Sequence, residues 1–160
     1  MSIHTIGYEG IGIDDFLSLL RKYAIETVVD IRELPLSRKP GFSKNALWNT
    51  LNLGGLEYVH IPDLGCPKPI RRRYYIDNDW TRYKEAFMQH LEIQDEALAN
   101  LAMMAAISNC ALLCFEADYN YCHRSIVANA VNQLSGARVV HIQRNEIKTA
   151  VSAGFSPAFA

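Results

Sequence analysis

Short apolar runs rich in β-branched residues alternate along the chain with segments in which apolar residues recur at every third or fourth position. The runs predict five strands, at residues 3–6, 27–31, 57–61, 111–115 and 139–142. The periodic segments predict helices that begin near residues 14, 43, 79, 97 and 125, with Asp14, Ser43 and Asp79 as N-caps. Residues 62–78, which hold several prolines and three consecutive arginines, are predicted to form a long polar loop.

This alternation predicts an α/β fold with a mainly parallel sheet of about five strands, covered by helices on both faces. A chain of 160 residues is expected to form a single α/β domain, residues 1–160. Ligands of such sheets bind at the carboxyl ends of the strands, in the loops that lead into helices. The strand exits are therefore the positions at which functional side chains are expected.

Polar side chains follow four of the predicted strands. They are Tyr8 and Glu9 after the first strand, Asp30, Arg32 and Arg38 at the second, His60 at the third, and Glu116 and Asp118 after the fourth. Asp30 and Arg32 share one side of their strand, and the simpler alternative is that they pair and hold the loop. His60 lies in an apolar strand, where a structural histidine is the commoner case.

The segment Cys122-His123-Arg124-Ser125 opens the last predicted helix. The first turn of a helix presents unpaired N–H groups and a positive dipole end, which favour an anion. Arg124 offers a planar fork for phosphate or carboxylate, and Ser125 offers a hydroxyl. Cys122 is expected to have a lowered pKa there, which makes it a candidate nucleophile. The alternative is a capped helix with a half-buried thiol and a surface arginine.

These positions predict a single site at one edge of the sheet. The expected catalytic residues are Cys122, Glu116 and Asp30. The expected ligand-binding residues are Tyr8, Arg32, Arg38, His60, His123, Arg124 and Ser125. Cys122 is expected to be the most reactive of the four cysteines, with Cys110 and Cys114 as buried core thiols.

Several familiar signatures are absent from the sequence. There is no phosphate-binding glycine loop, and the phosphatase spacing fails because Ala128 stands six positions after Cys122. No cofactor and no metal are expected, since the cysteines show no ligand spacing. Zinc bound by Cys122 and His123, with Cys66 or Cys114, is kept as a weaker hypothesis.

The charge is unevenly distributed although the net charge is only −1. Residues 32–73 hold eight Lys or Arg against three acids, which suits an anionic partner or nucleic acid as well as an ordinary solvated face. The N-terminus does not resemble a signal peptide, and no apolar stretch is long enough to span a bilayer. A cytoplasmic protein with reduced thiols and no membrane partner is expected. No pattern predicts its oligomeric state.

An ordered series of motifs resembles the domain-of-unknown-function 488 (DUF488) family. The motifs are GYEG at 7–10, VDIR at 29–32, SRKPGFSK at 37–44, YVH at 58–60, LG at 64–65, LCFE at 113–116 and CHRS at 122–125. The resemblance covers about residues 3–142 and leaves 143–160 as a C-terminal tail. It implies a compact α/β domain from a bacterium or archaeon and no established activity. Cys66 departs from the family pattern, which weakens a metal site built on it.

Two functions compete on the sequence alone. The first is an enzyme that acts on a small phosphorylated or other anionic substrate at the carboxyl edge of the sheet. The second is a non-catalytic module that binds nucleic acid or a nucleotide through the basic segment and Tyr74-Tyr75. Salt separates them, because binding to nucleic acid weakens steeply as salt rises, whereas binding in a closed pocket is expected to weaken less.

Overall fold

The computed structural model describes residues 1–147 and contains a five-stranded sheet in which all strands are parallel. The strands are β1 (Ser2–Gly7), β2 (Thr27–Asp30), β3 (Glu57–His60), β4 (Cys110–Cys114) and β5 (Arg138–Ile142). Their order across the sheet is β3-β2-β4-β1-β5. The predicted α/β class and the five predicted strands are confirmed.

Six α-helices and two short 3-10 turns lie completely within these residues, and residues 145–147 are also helical. The helices are α1 (Ile13–Lys22), α2 (Lys44–Leu53), α3 (Lys68–Asp77), α4 (Trp80–Glu92), α5 (Asp95–Ile107) and α6 (His123–Ser135). The 3-10 turns are Pro62–Leu64 and Tyr119–Tyr121. Across residues 1–147, no helix has the length and apolarity needed to cross a membrane.

The helices cover the sheet in two layers that follow the alternation of side chains along each strand. Helices α1 and α2 pack against Ile6, Val28 and Leu113, and this side is called the α1–α2 face. Helices α4, α5 and α6 pack against the residues that alternate with these, such as Val29 and Leu112, on the α4–α6 face. The central strands are buried on both faces, which explains their uninterrupted apolar sequences.

The chain leaves neighbouring strands toward opposite faces. After β1 and β2 it enters α1 and α2 on one face, whereas after β4 it enters α6 on the other. Strand β4 lies between β2 and β1. The loops that follow β2 and β1 therefore leave toward one face of the sheet, and the loop that follows β4 leaves toward the other. Divergence of this kind opens a crevice at the carboxyl edge of a parallel sheet, and ligands bind there in open α/β folds.

Helix α3 occupies the segment that was predicted to be a polar loop, so that prediction is wrong. Pro67 is its N-cap and Pro69 lies in its first turn, where proline costs little because the N–H has no helical acceptor. Asn78 ends the helix in the left-handed conformation with φ of 53°. No residue of α3 is fully buried, and an apolar period that would have announced the helix is therefore missing.

The helices begin one or two residues away from the starts that the sequence predicts. Gly12, not Asp14, is the N-cap of α1, and Asp14 lies inside its first turn. Ser43 is the N-cap of α2, although its hydroxyl donates to the Ser37 carbonyl instead of capping the helix. Helix α6 begins at His123, two residues before the predicted start, so that Cys122 is its N-cap.

Candidate functional site

Four side chains from the end of β4 and the start of α6 meet at the carboxyl edge of the sheet. They are Cys114, Glu116, Cys122 and His123, called here the thiol cluster. The two sulfur atoms are 2.8 Å apart. The Oε2 atom of Glu116 lies 2.6 Å from Sγ of Cys114 and 3.3 Å from Sγ of Cys122.

The histidine of the cluster has a fixed orientation. Its Nε2 atom lies 2.7 Å from the carbonyl oxygen of Ile31, just beyond β2. A carbonyl can only accept, so Nε2 carries a hydrogen, and in the neutral form of the ring the lone pair of Nδ1 is free. Nδ1 of His123 lies 3.7 Å from Sγ of Cys114 and 3.9 Å from Sγ of Cys122. The neutral imidazole therefore presents an acceptor to both thiols, whereas the protonated ring donates from Nδ1 to a thiolate.

Both cysteines reach the cluster because of their places in the secondary structure. Alternation along β4 puts Cys114 on the α4–α6 face, the same face as Cys110 and Leu112. Cys122 is the N-cap of α6 with extended backbone, which turns its side chain back over the start of the helix. Both are buried, with 3 % and 1 % of their surface exposed. The half-buried Glu116 covers them from the solvent side.

The acidities within the cluster are strongly perturbed. Burial disfavours the Cys114 thiolate, but the hydrogen bond from Cys122 and the charges of His123 and Arg124 outweigh it and lower the pKa well below the usual thiol value. Burial and the neighbouring Cys114 thiolate raise the pKa of Glu116 to about 7. Burial favours neutral His123, but the Cys114 thiolate and the Ile31 carbonyl outweigh it and raise that pKa.

The acidities of the two thiols are the reverse of those expected from the sequence, because the pKa of Cys114 is lowered and that of Cys122 is raised. Burial, the hydrogen bond donated to Cys114 and the charges of Cys114 and Glu116 raise the pKa of Cys122 well above the usual thiol value. The expected lowering of the Cys122 pKa is therefore wrong, because the surrounding charges favour the thiolate on Cys114. Cys114 was expected to be a core thiol and instead belongs to the cluster, whereas Cys110 is a core residue. Whether Cys122 is the most reactive cysteine stays a prediction.

Arg124 does not present its guanidinium to solvent at the helix start. The side chain is wholly buried. It donates to the carbonyl oxygens of Glu116 and Ala117, and its Nε donates to the hydroxyl of Thr5 in β1 over 3.3 Å. A role for Arg124 as a direct anion ligand stays a prediction, and in this structure its donors are occupied by the protein. Arg124 instead fixes the loop that carries Glu116.

Asp30 and Arg32 form a buried ion pair on the α1–α2 face. The Arg32 guanidinium donates to both carboxylate oxygens of Asp30 over 2.8 and 2.7 Å, and the two side chains are 0 % and 7 % exposed. Arg32 also donates to the Tyr8 hydroxyl over 3.1 Å and to the Phe42 carbonyl over 2.8 Å. Each guanidinium nitrogen thus has a partner within the protein, and the pair holds the loop after β2 together.

Tyr58 is a member of this network that the sequence did not single out. Its hydroxyl donates to Oδ2 of Asp30 over 2.6 Å. Burial and the Asp30 carboxylate raise the pKa of Tyr58 above the usual phenol value, so the hydroxyl stays a donor. Alternation places Tyr58 and His60 on one side of β3, and register sets His60 beside Asp30. The separation of two residues between Tyr58 and His60 was the sequence signal that could have identified Tyr58 as a neighbour of Asp30.

The remaining predicted residues lie at the same edge with mostly structural contacts. Nε2 of His60 donates to the Arg32 carbonyl oxygen over 2.8 Å. Ser125 donates its hydroxyl to the Cys122 carbonyl over 2.9 Å. Arg38 is exposed on the loop between β2 and α2, where the Lys39 ammonium donates to the Tyr8 carbonyl over 3.2 Å. The structure thus brings the predicted residues to one edge, divided between the two faces of β2 and β4.

A cleft beside α4, α5 and α6 does not coincide with the thiol cluster. It has a volume of about 650 Å³ and runs along α4, α5 and α6. Its walls include Trp80, Lys84, Tyr119, Ser125 and His141. Ser125 is adjacent in sequence to the cluster, but no cluster side chain lines the cleft.

Comparison with known proteins identifies a family without a described activity. The family model described as "Domain of unknown function DUF488" matches residues 12–131, three quarters of the chain. No curated protein and no solved structure matches the chain significantly. Any role for the thiol cluster must therefore be argued from its geometry.

Proposed function

Because the chain belongs to the DUF488 family, for which no activity is described, we propose from the site itself that it is an enzyme acting on a small anionic substrate at the carboxyl edge of the sheet. The thiol cluster is the reacting centre in this proposal. The crevice on either side of β4 admits the substrate, and the loop between β2 and α2 binds its charge.

The observation that carries the proposal is the grouping of the thiol cluster within this crevice. Two thiols, a carboxyl group and an imidazole lie within 3.9 Å of at least one other member. A fold of this kind needs no such group for stability, because burial of ionisable side chains is costly. Clusters of perturbed ionisable groups at a topological crevice are typical of catalytic sites. Catalytic roles for Cys122 and Glu116 remain part of the proposal, whereas Asp30 is better explained as a positioning residue.

The charge of the surrounding loop supports an anionic substrate. Arg38, Lys39 and Lys44 lie between β2 and the first turn of α2. Within the described residues, none of the three is within ion-pair distance of an acid. Their charge is therefore available to a phosphate or carboxylate. The cytoplasm is the proposed compartment, since all four cysteines are free thiols.

Turnover by matched variants tests this function. Phosphomonoesters, phosphodiesters and nucleotides are incubated with the parent protein, Glu116→Gln and Arg38→Ala, and product is measured against substrate concentration. We expect Glu116→Gln to lower kcat by about 100-fold or more, the contribution typical of a reacting carboxyl group. Arg38→Ala is expected to raise KM more than it lowers kcat. In this proposal Arg38 binds only the charged group of the substrate and takes no part in the reaction.

Arg21→Ala provides the matched control for the loss of an exposed arginine. Arg21 lies in the last turn of α1, at the amino end of the strands, and should leave both kinetic constants unchanged. Turnover of no compound in the panel, or equal turnover by the parent and Glu116→Gln, would overturn the proposal.

A second candidate, a nucleic-acid-binding module, is favoured by the exposed surface of α3. Arg72 and Arg73 are exposed, and 86 % of the Tyr75 surface is accessible, as suits phosphate contact and base stacking. Single-stranded DNA would bind this surface with an affinity that falls steeply with salt. The enzyme proposal would give way to this one if Tyr75→Ala and Arg72→Ala weakened DNA binding while Glu116→Gln left it unchanged and no compound was turned over.

A further inference from the structure

We propose that the thiol cluster binds one Zn²⁺ ion through Sγ of Cys114, Sγ of Cys122 and Nδ1 of His123, with a carboxylate oxygen of Glu116 as the fourth ligand. The inference rests on the proposed function in so far as it names the metal of the same reacting centre. Its own support is the arrangement of the donor atoms.

The separations of the donor atoms approach those of a tetrahedral zinc site. The three donors of Cys114, Cys122 and His123 all lie within 4.8 Å of one another. Zn–S bonds of about 2.3 Å and Zn–N bonds of about 2.0–2.1 Å place ligand sulfur and nitrogen atoms roughly 3.5 Å apart. The two observed sulfur–nitrogen separations are 3.7 and 3.9 Å. The sulfur atoms are now 2.8 Å apart, and the Glu116 oxygen is 2.6 Å from Sγ of Cys114. Both separations must lengthen by about 1 Å for these atoms to bind one ion.

The histidine is already prepared as a ligand. The hydrogen bond from its Nε2 to the Ile31 carbonyl fixes the tautomer that leaves the Nδ1 lone pair free. Metal-bound histidines almost always donate their second ring N–H to a carbonyl or carboxylate in this manner. His123 packs at 70° against the ring of Phe87, with centroids 5.2 Å apart, which restricts its rotation. The lone pair is therefore held toward the sulfur atoms.

Charge balance supports a divalent cation. Two thiolates and the Glu116 carboxylate carry three negative charges, and the buried Arg124 guanidinium carries one positive charge. No carboxylate pairs with Arg124 within residues 1–147, since its donors meet backbone carbonyls and the Thr5 hydroxyl. Buried charges are tolerated when they are compensated. One Zn²⁺ ion brings the sum of these charges to zero.

A disulfide between the same cysteines explains fewer of the contacts. Oxidation would consume both thiols and leave Nδ1 of His123 and the Glu116 carboxylate facing neutral sulfur. A soft ion bound by thiolate, imidazole and carboxylate engages all four side chains together. Zn²⁺ is the divalent ion that tetrahedral sulfur and nitrogen ligands of this kind select.

Glu116 is the ligand that a substrate would displace. It is half-buried at the solvent side, whereas the other three ligands are at most 5 % exposed. Catalytic zinc sites keep three protein ligands and one exchangeable position. A substrate oxygen that replaces the Glu116 carboxylate would be polarised by the ion, and the displaced carboxylate would be free to take a proton.

Metal binding by the reduced full chain tests the inference without any substrate. The protein is stripped with a chelator, kept reduced and titrated with Zn²⁺, and bound metal is measured by elemental analysis after gel filtration. Co²⁺ serves as a second probe because thiolate ligation gives a charge-transfer absorption. We expect one equivalent of either ion in the parent. Cys114→Ser and His123→Gln should each weaken binding by more than the roughly 10–100-fold cost of losing an outer partner.

Cys110→Ser is the matched control, because Cys110 is a buried thiol four residues earlier in the same strand and packs in the apolar core. It should retain one equivalent of metal. Binding below one tenth of an equivalent in the reduced parent, or equal affinity in the parent and Cys114→Ser, would overturn the inference. So would loss of two mass units by the untreated protein together with failure to bind Zn²⁺ after reduction, which would identify a disulfide.

The outcome is separable from that of the proposed function. Stoichiometric Zn²⁺ with no turnover of any anionic compound would overturn the function alone. Turnover by chelator-treated protein that binds no Zn²⁺ would overturn the metal site alone.

Discussion

Two arginines are buried at the carboxyl edge of the sheet, and their guanidinium groups have different kinds of partner. Arg32 pairs with Asp30 through parallel hydrogen bonds, as arginine does with carboxylates generally. Arg124 has backbone carbonyls and one hydroxyl as partners, so its charge acts on the neighbouring thiols instead. Both side chains are occupied by the protein. At this edge of the sheet, the cations of the loop that follows β2 are available to a ligand.

Replacement of Asp30 tests the structural role of the ion pair. Asp30→Asn would leave the buried Arg32 guanidinium without its counter-ion and remove an acceptor of the Tyr58 hydroxyl. We expect the free energy of unfolding in urea to fall by about 3–5 kcal/mol, the usual cost of breaking a buried pair. Glu33→Gln is the control, since its ion pair with Arg71 is 38–39 % exposed and should cost less than about 1 kcal/mol. Equal losses in the two variants would contradict this role.

The residues at the strand exits could be predicted because their side chains are polar or reactive and their positions lie next to strand ends. Glu116 and Cys122 were recognisable as polar or reactive groups beside a strand end or a helix start. Cys114 was not, because within an apolar run a thiol reads as a core residue. Its partner stands eight positions later, and the two sulfurs meet only because the chain returns through a 3-10 turn. The two cysteines are too far apart in the sequence for their spacing to have indicated this contact.

At the scale of secondary structure, the site depends on the close approach of β1 to the loop after β4. The N–H of Glu9 donates to the Phe115 carbonyl over 2.8 Å, and the Ala117 N–H donates to the Glu9 carboxylate over 2.9 Å. Gly7, at the end of β1, lies against the Glu116 carbonyl, so a Cβ atom would overlap it. The absence of a side chain at Gly7 therefore determines where Glu116 can lie.

Gly7→Ala should disturb both stability and the thiol cluster. The methyl group would push the backbone of Glu116 away from β1, and such overpacking typically costs about 1–3 kcal/mol. We expect lower stability in urea and weaker Zn²⁺ binding, because Glu116 is a cluster residue. Gly12→Ala is the matched control, as nothing lies within 4 Å of a Cβ atom there. Unchanged stability and metal affinity in Gly7→Ala would contradict this account.

The strands could be read from the sequence more reliably than the helices. β1, β2 and β4 are buried on both faces, so apolar content alone revealed them to within a residue or two at each end. Helix α3 escaped detection because it lies on the surface and buries no residue fully. Its prolines, which suggested a loop, are tolerated at the first turn of a helix. Strand order was beyond reach, since a parallel sheet is set by pairings distant in sequence.

For the molecule as a whole, burial of histidine makes stability depend on pH. Burial lowers the pKa values of His4 and His141 below the ordinary 6.5, with the charges of Arg138 and Arg124 acting in the same direction. The unfolded chain therefore binds protons at these residues before the folded chain does. Their contribution to stability is complete above about pH 6.5 and is lost as the pH falls below it.

Comparison of the parent with His4→Phe isolates one of these contributions. Phenylalanine keeps a ring against Tyr23 but cannot be protonated. We expect the urea midpoint of the parent to decline more steeply than that of His4→Phe between pH 7 and 5. Groups common to both proteins, such as His123 with its raised pKa, cancel in the difference between the slopes. Identical slopes would show that His4 is not linked to unfolding.

The position of β4 between β2 and β1 also constrains the order of folding. β1 pairs with residues 110–114 and 138–142, so both of its neighbours lie more than a hundred positions away in the chain. During synthesis from the N-terminus, β1 and β2 emerge early but cannot complete the sheet until β4 follows them. Contacts of such long range slow folding, and unpaired strand edges expose the chain to misassociation. The edges of β1 therefore stay unpaired in the nascent chain until residues 111–142 have been synthesised.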